Sequence, residues 1–213
     1  MITRGVFDLE QLEAARIVAI LRSDSASHLA ACAETLIDSG ISALEFALTT
    51  PGSVEAIRQM SSSIPEGVYL GAGTVITTEL ASAAAESGAS FFVTPAVVLD
   101  VLSAAVERRI PVLCGAATAT EALTAHRAGA LAVKVFPAGV GSPQLIRALR
   151  EPLPFIPLVP TGGVDERNAG ECIRAGATAV GVGRSLLGDA TEGGSLRALR
   201  ERALRLQEAV RVG

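Results

Sequence analysis

Eight short apolar runs punctuate the chain: Ile17–Leu21, Ile41–Phe46, Val68–Ala72, Ser90–Val93, Pro111–Cys114, Leu131–Phe136, Ile156–Val159 and Thr178–Val182. Their starts recur every 20–27 residues. Between them the apolar positions take helical spacing, as in His28–Gly40, Val54–Met60 and Glu121–Gly129. Strand–helix alternation of this kind predicts a parallel sheet with helical crossovers. A local signature repeats in phase with it. Ser39-Gly40-Ile41, Ser87-Gly88-Ala89, Ala128-Gly129-Ala130 and Ala175-Gly176-Ala177 each close a helix with Gly and open a strand. Gly suits that position because a helix end favours a left-handed residue without a Cβ. Eight βα units in about 200 residues fit an α/β fold of the (β/α)8 TIM-barrel type better than a doubly wound open sheet.

No linker or compositional break divides the chain, so residues 1–213 are expected to form one barrel domain. The two ends read as additions to it. Phe7–Arg16 predicts a short N-terminal helix. Leu196, Leu199, Ala203, Leu206 and Val210 form an apolar stripe on a C-terminal helix with an Arg- and Glu-rich opposite face. That stripe is expected to pack on its own barrel, an oligomer contact being the alternative.

Composition narrows the class. Of the 213 residues, 49% are hydrophobic and 19% charged, which excludes a disordered chain. A formal charge of −4 argues against general binding to nucleic acid or an acidic membrane. Aromatics make up only 3% and Trp is absent, so base-stacking surfaces are not expected. Cys32, Cys114 and Cys172 cannot all pair and fall in apolar or helical contexts, as reduced core residues do. No apolar run approaches the ~18 residues of a membrane span, and the opening stretch lacks the apolar core of a signal peptide. A cytoplasmic location is expected.

The basic residues carry the first chemical clue. Of 18 Lys and Arg, one is Lys: Lys134, within Leu-Ala-Val-Lys-Val-Phe. Strand alternation puts Ala132, Lys134 and Phe136 on one face and Leu131, Val133 and Val135 on the other. The more aliphatic set should face the helices, so Lys134 should point into the barrel near the C-terminal end of strand six. Desolvation of a buried ammonium favours the neutral amine, which is a nucleophile; Arg cannot supply one. In strand two, Ala43 and Glu45 share a face and Glu45 should also project inward. A structural ion pair, or a lysine that snorkels outward, is the alternative to an acid–base carboxylate beside a reactive amine.

Two Gly-rich turns follow the last strands: Thr161-Gly162-Gly163, and Gly181-Val182-Gly183-Arg184-Ser185. In (β/α)8 barrels these loops commonly hold a substrate phosphate, because Gly lets backbone N–H groups approach its oxygens. Such pairs also serve as tight turns with no ligand. Neither matches a dinucleotide or Walker motif. Gly71-Ala72-Gly73-Thr74 ends strand three in the same way, where the Thr74 hydroxyl and backbone amides could take a carboxylate; Arg22, just past strand one, could add charge. The only histidines, His28 and His126, lie in helical patterns without ligand spacing, so no metal site is expected. Amine, carboxylate and anion-binding loops suit a carbonyl substrate captured as an imine. A phosphate-binding barrel isomerase, epimerase or decarboxylase, and a non-catalytic barrel that binds a sugar phosphate, remain open on the residues alone.

The ordered segments Ala19-Ile-Leu-Arg22, Ala43-Leu-Glu45, Gly71-Ala-Gly-Thr-Val75, Val93-Thr-Pro95, Cys114-Gly-Ala-Ala-Thr-Ala-Thr-Glu-Ala122, Val133-Lys-Val-Phe-Pro137, Pro160-Thr-Gly-Gly-Val164 and Gly181-Val-Gly183 resemble the 2-keto-3-deoxy-6-phosphogluconate / 4-hydroxy-2-oxoglutarate aldolase family of class I aldolases. The resemblance runs from Ile17 to about Leu187. It implies a homotrimer of barrels that acts on a small keto acid phosphate, with no metal and no organic cofactor. Lys134 matches the Schiff-base lysine, and Glu45 the acid–base glutamate. Thr74 matches the residue at the pyruvyl carboxylate. Thr161, Gly162, Gly163, Gly183 and Ser185 match positions that hold the substrate's hydroxyls and phosphate, and Arg22, Pro95 and Phe136 fall within the substrate-binding set. Gluconate-type members carry Arg where this chain has Thr49, and galactonate-type members carry Arg at the position of Arg22. The Ala-Thr-Ala-Thr-Glu-Ala run is galactonate-like, while Thr161 before the Gly pair is gluconate-like. The implied reaction is cleavage to pyruvate and glyceraldehyde 3-phosphate, with 4-hydroxy-2-oxoglutarate as a shorter candidate.

Overall fold

The computed structural model describes residues 6–139 and 142–211. Eight strands alternate with helices. Helix α1 (Leu9–Ala15) precedes β1 (Ile17–Leu21); then come α2 (Leu29–Asp38), β2 (Ala43–Ala47), α3 (Ser53–Ser61), β3 (Tyr69–Gly73), α4 (Thr78–Glu86), β4 (Phe91–Val93), α5 (Leu99–Arg108) and β5 (Val112–Ala116). The second half adds α6 (Ala119–Arg127), β6 (Ala132–Val135), α7 (Ser142–Arg150), β7 (Leu158–Pro160), α8 (Ala169–Arg174), β8 (Val180–Val182), the single-turn α9 (Arg184–Leu187) and α10 (Leu196–Arg211). All ladders are parallel and run in chain order from β1 to β7, with β8 returning to β1. A parallel bridge between Thr161 and Gly181 draws β7 and β8 together. This is a (β/α)8 barrel.

The strands sit within one or two residues of the apolar runs, and β1 coincides with its run. Gly40, Gly88, Gly129 and Gly176 all have positive φ, between 90° and 99°, so the repeated helix-closing Gly does what its position requires. Local caps start several helices. Asp8 accepts from the Gln11 amide at 3.1 Å to start α1. Thr118 and Glu121 form a reciprocal capping box on α6.

Alternation along each strand divides the core in two. The outward set, including Ile17, Leu44, Phe46, Phe92, Val133 and Val180, packs under the helices. The inward set is smaller: Val18, Ala43, Tyr69, Phe91, Val93, Leu113, Ala132, Val159 and Ala179. The leading helix is more than an appendage. Phe7 and Leu12 belong to this inner set, and Phe7 stacks on Phe91 with centroids 4.4 Å apart and lies 5.1 Å from Tyr69. The chain thus plugs the N-terminal end of its own barrel and leaves the C-terminal end for chemistry. On α10, Leu199, Ala203, Leu206 and Val210 are buried on the barrel as expected, whereas Leu196, at the start of the helix, is 38% exposed.

Candidate active site

Strands β2 and β6 stand four places apart in an eight-stranded ring, so their inward side chains meet across the axis. Glu45 and Lys134 do so: Nζ lies 3.7 Å from Oε1. Their side chains retain only 1% and 8% of their exposure. At 3.7 Å the pair is a salt bridge rather than a hydrogen bond, and the buried Oε1 has no hydrogen-bond partner. Beside Lys134, on β5, a small inward residue makes room for a neighbouring loop. At Gly115 a Cβ would fall 2.5 Å from the Ala96 amide nitrogen, so only Gly lets the loop after β4 cross β5 there. The Thr94 hydroxyl pins that loop, accepting from the Gly115 amide at 3.1 Å and donating to the Ala96 carbonyl at 2.7 Å.

Above the pair opens a cavity of about 620 Å³. Lys134 lines it together with Arg22, Thr74, Pro95, Phe136, Thr161, Gly162, Gly163, Gly183 and Ser185. Every candidate from the sequence therefore converges on one mouth, with Glu45 beneath it at the amine. Phe136 lies just past the end of β6, 39% exposed, with Nζ of Lys134 5.5 Å from its ring centroid. Thr74 holds a positive φ of 62°, uncommon for a non-Gly residue, and its hydroxyl accepts from the Arg22 guanidinium at 3.1 Å. Arg22 is thus tied into the site rather than free on the surface.

The loops after β7 and β8 form the opposite wall. Gly162 and Gly163 both have positive φ, 83° and 79°, and a Cβ at Gly163 would lie 2.8 Å from the Gly139 carbonyl carbon. The amides of Ala138 and Gly139 donate to the carbonyls of Thr161 and Gly162 at 2.9 and 2.8 Å, zipping the β6 loop to the β7 loop. Among the described residues, the N–H groups of Gly163, Gly183 and Ser185 have no protein acceptor. The Ser185 hydroxyl donates to the Val164 carbonyl at 2.8 Å.

Sequence reasoning missed Asp165, Arg167 and Arg184, which also line the cavity. The signal that singled out Arg22, a charge just beyond a strand or its Gly turn, applies to Arg184 as well. Arg167 donates through Nε to Asp165 Oδ2 at 2.9 Å, and its side chain holds the Asp165 carboxyl below the usual carboxylate range against partial burial. Arg22, Arg167 and Arg184 give the mouth a cationic rim. A second cavity of about 450 Å³ adjoins it, sharing Arg22 and Arg184 and including Thr49. Among the described residues, no three His, Cys, Asp or Glu side chains come together as metal ligands.

Fold and site together define a barrel enzyme with its chemistry at the C-terminal ends of the strands. The chain belongs to the KDPG and KHG aldolase family, whose profile matches residues 9–198. It is similar to the 2-dehydro-3-deoxy-6-phosphogalactonate aldolase of Escherichia coli strain K12, with 37% identity over 80% of this chain and 83% of the relative. The 2-dehydro-3-deoxy-phosphogluconate aldolase of Pseudomonas aeruginosa is 38% identical over 72% of this chain and 70% of its own. The native KDPGal structure superposes with a TM-score of 0.84 at 34% identity, covering 92% of this chain and 94% of that one. The protein is an aldolase, a carbon–carbon lyase acting on a small molecule. That decides among the aldolase, isomerase and binding-protein readings left open by the residues. No helix among the described residues is long and apolar enough to cross a membrane.

Proposed function

We propose that this aldolase cleaves a 2-keto-3-deoxy-6-phospho sugar acid, foremost 2-keto-3-deoxy-6-phosphogluconate, to pyruvate and glyceraldehyde 3-phosphate through an imine on Lys134. The supporting observation is a solvent-shielded amine 3.7 Å from a carboxylate oxygen that lacks any hydrogen-bond partner, at the floor of a mouth rimmed by arginines. The neutral amine of Lys134 attacks the C2 ketone and the carbonyl oxygen leaves as water; a protonated imine forms with one proton taken from solvent, which the final hydrolysis returns. Glu45 takes the C4 hydroxyl proton through one water. The C3–C4 bonding pair moves into C2–C3 while the imine π pair moves onto nitrogen, releasing the aldehyde. Glu45 then returns its proton to C3 of the enamine, and water hydrolyses the imine to free pyruvate. One water is lost and one regained, so the cycle balances.

Thr74 and Arg22 are suited to the keto acid's carboxylate. Pro95 and Phe136 supply the apolar wall, and Thr161 faces the substrate's hydroxyls. The open amides of Gly163, Gly183 and Ser185, beside the tight turn at Gly162, are suited to the phosphate, with no organic cofactor required. A second reading, the galactonate epimer, is favoured by the hydrogen bond from Arg22 to Thr74 and by the short Thr49. Both epimers give the same products, and 4-hydroxy-2-oxoglutarate would give pyruvate and glyoxylate. Turnover of the two C4 epimers, read as pyruvate release, tests the proposal. Pyruvate from the gluconate epimer, lost in Lys134→Arg, is expected. Preference for the galactonate epimer would favour the second reading, and no pyruvate from either epimer would overturn both.

A further inference from the structure

Oε1 of Glu45 is buried without a hydrogen bond, and its nearest charge, Nζ of Lys134, lies beyond hydrogen-bonding distance. Something other than directed polar contacts must fix its place. The answer lies on the neighbouring strand. Gly73, the last residue of β3, faces inward beside Glu45, and an ideal Cβ built on it would fall 2.5 Å from both Cγ and Cδ of Glu45 and closer still to Oε1. Three consecutive side-chain groups of the carboxylate therefore occupy the volume a methyl group would take. The backbone of Gly73 has no positive φ, so conformational freedom does not account for glycine there. The vacancy does.

Two residues earlier on the same face, Gly71 provides a contrast. A Cβ there would lie 2.6 Å from Cδ2 of Phe91 and closer to two further ring atoms. Phe91 belongs to the plug beneath the barrel, where it stacks on Phe7. The two glycines of one strand thus make room for different layers, Gly71 for packing at the base and Gly73 for the carboxylate at the mouth.

We infer that Gly73 is a positioning residue for the reaction: the absent side chain is the seat that keeps the Glu45 carboxylate against the Lys134 amine. This rests on the acid–base reading of Glu45 given above. Displacing a reacting group by about 1 Å costs on the order of 10²-fold in rate, and general acid–base catalysis contributes roughly 10²–10⁴-fold. Gly73→Ala is therefore expected to lower kcat about 10²-fold with a much smaller change in KM. Lys134 is untouched, so pyruvate and borohydride should still label the variant fully.

The decisive comparison is a double-mutant cycle of Gly73→Ala with Glu45→Gln, read as kcat and as extent of borohydride labelling. If Gly73 acts through Glu45, adding Gly73→Ala to Glu45→Gln changes kcat by less than about threefold, because acid–base function is already lost. Independent, multiplying losses would overturn the inference, as would a near-normal rate in Gly73→Ala alone. A near-normal rate in Glu45→Gln would instead remove the acid–base reading itself, which separates the two failures. Should Gly73→Ala fail to fold, Gly73→Ala/Glu45→Ala should restore soluble protein by emptying the contested volume. If that pair also fails to fold, glycine serves the backbone there, and the inference is wrong.

Discussion

Lys134 and Glu45 illustrate how far a strand pattern alone can carry chemistry. Period-two alternation put both side chains inside the barrel, and their position near the strand ends put them at the mouth. What alternation could not give is the distance, because a contact between β2 and β6 depends on ring closure and on small residues elsewhere. Gly73 shows that limit: in the sequence it reads as part of an anion-binding turn, while in the fold it makes room for a carboxylate. The acid–base role predicts that Glu45→Gln slows turnover by roughly 10²–10⁴, measured under single-turnover conditions. Lys134→Arg should eliminate turnover, since a guanidinium stays protonated. The three cysteines are free and buried, and they carry a separate signature. Burial, aided by the Glu171 carboxylate, pushes the Cys172 thiol from 9.0 up to about 11. Between those values the unfolded thiol has lost its proton while the folded one keeps it. Stability should therefore fall as pH rises through that window. Denaturant titrations across it should show the decline, lessened in Cys172→Ala.

The order of strands and helices was legible because each βα unit repeats the same signals: an apolar run, a capped amphipathic helix and a closing Gly. Boundaries shifted by a residue or two where strand pairing extended beyond the apolar run, as at Gly73 and Ala116. The role of the leading helix was not legible. Its amphipathic pattern gave its existence, but Phe7 finds its partners on β3 and β4, more than sixty residues away in sequence. Arg167 and Arg184 were not legible for a related reason: Arg167 lies on a turn and Arg184 opens the single-turn α9, and neither is long enough for periodicity to mark which way a side chain points. The plug carries its own prediction. Phe7→Ala should cost about 3–5 kcal/mol by opening a cavity under the barrel, seen as a lowered denaturation midpoint. Because the plug and the mouth are at opposite ends, kcat of the folded variant should be nearly unchanged.

Taken whole, the barrel divides its labour along one axis, with aromatic packing at the base, a charged pair in the middle and a cationic rim at the top. The family resemblance implies a homotrimer, so sedimentation should give three times the 21.7 kDa chain mass; a monomer would contradict that expectation. The cationic rim should make the phosphorylated substrate's KM rise with ionic strength. The imine itself admits the most direct test. Incubation with pyruvate and borohydride, followed by intact mass and peptide mapping, should yield one reduced pyruvyl adduct, located on Lys134 and absent from Lys134→Arg. An unchanged mass, or an adduct on any other nitrogen, would contradict the account.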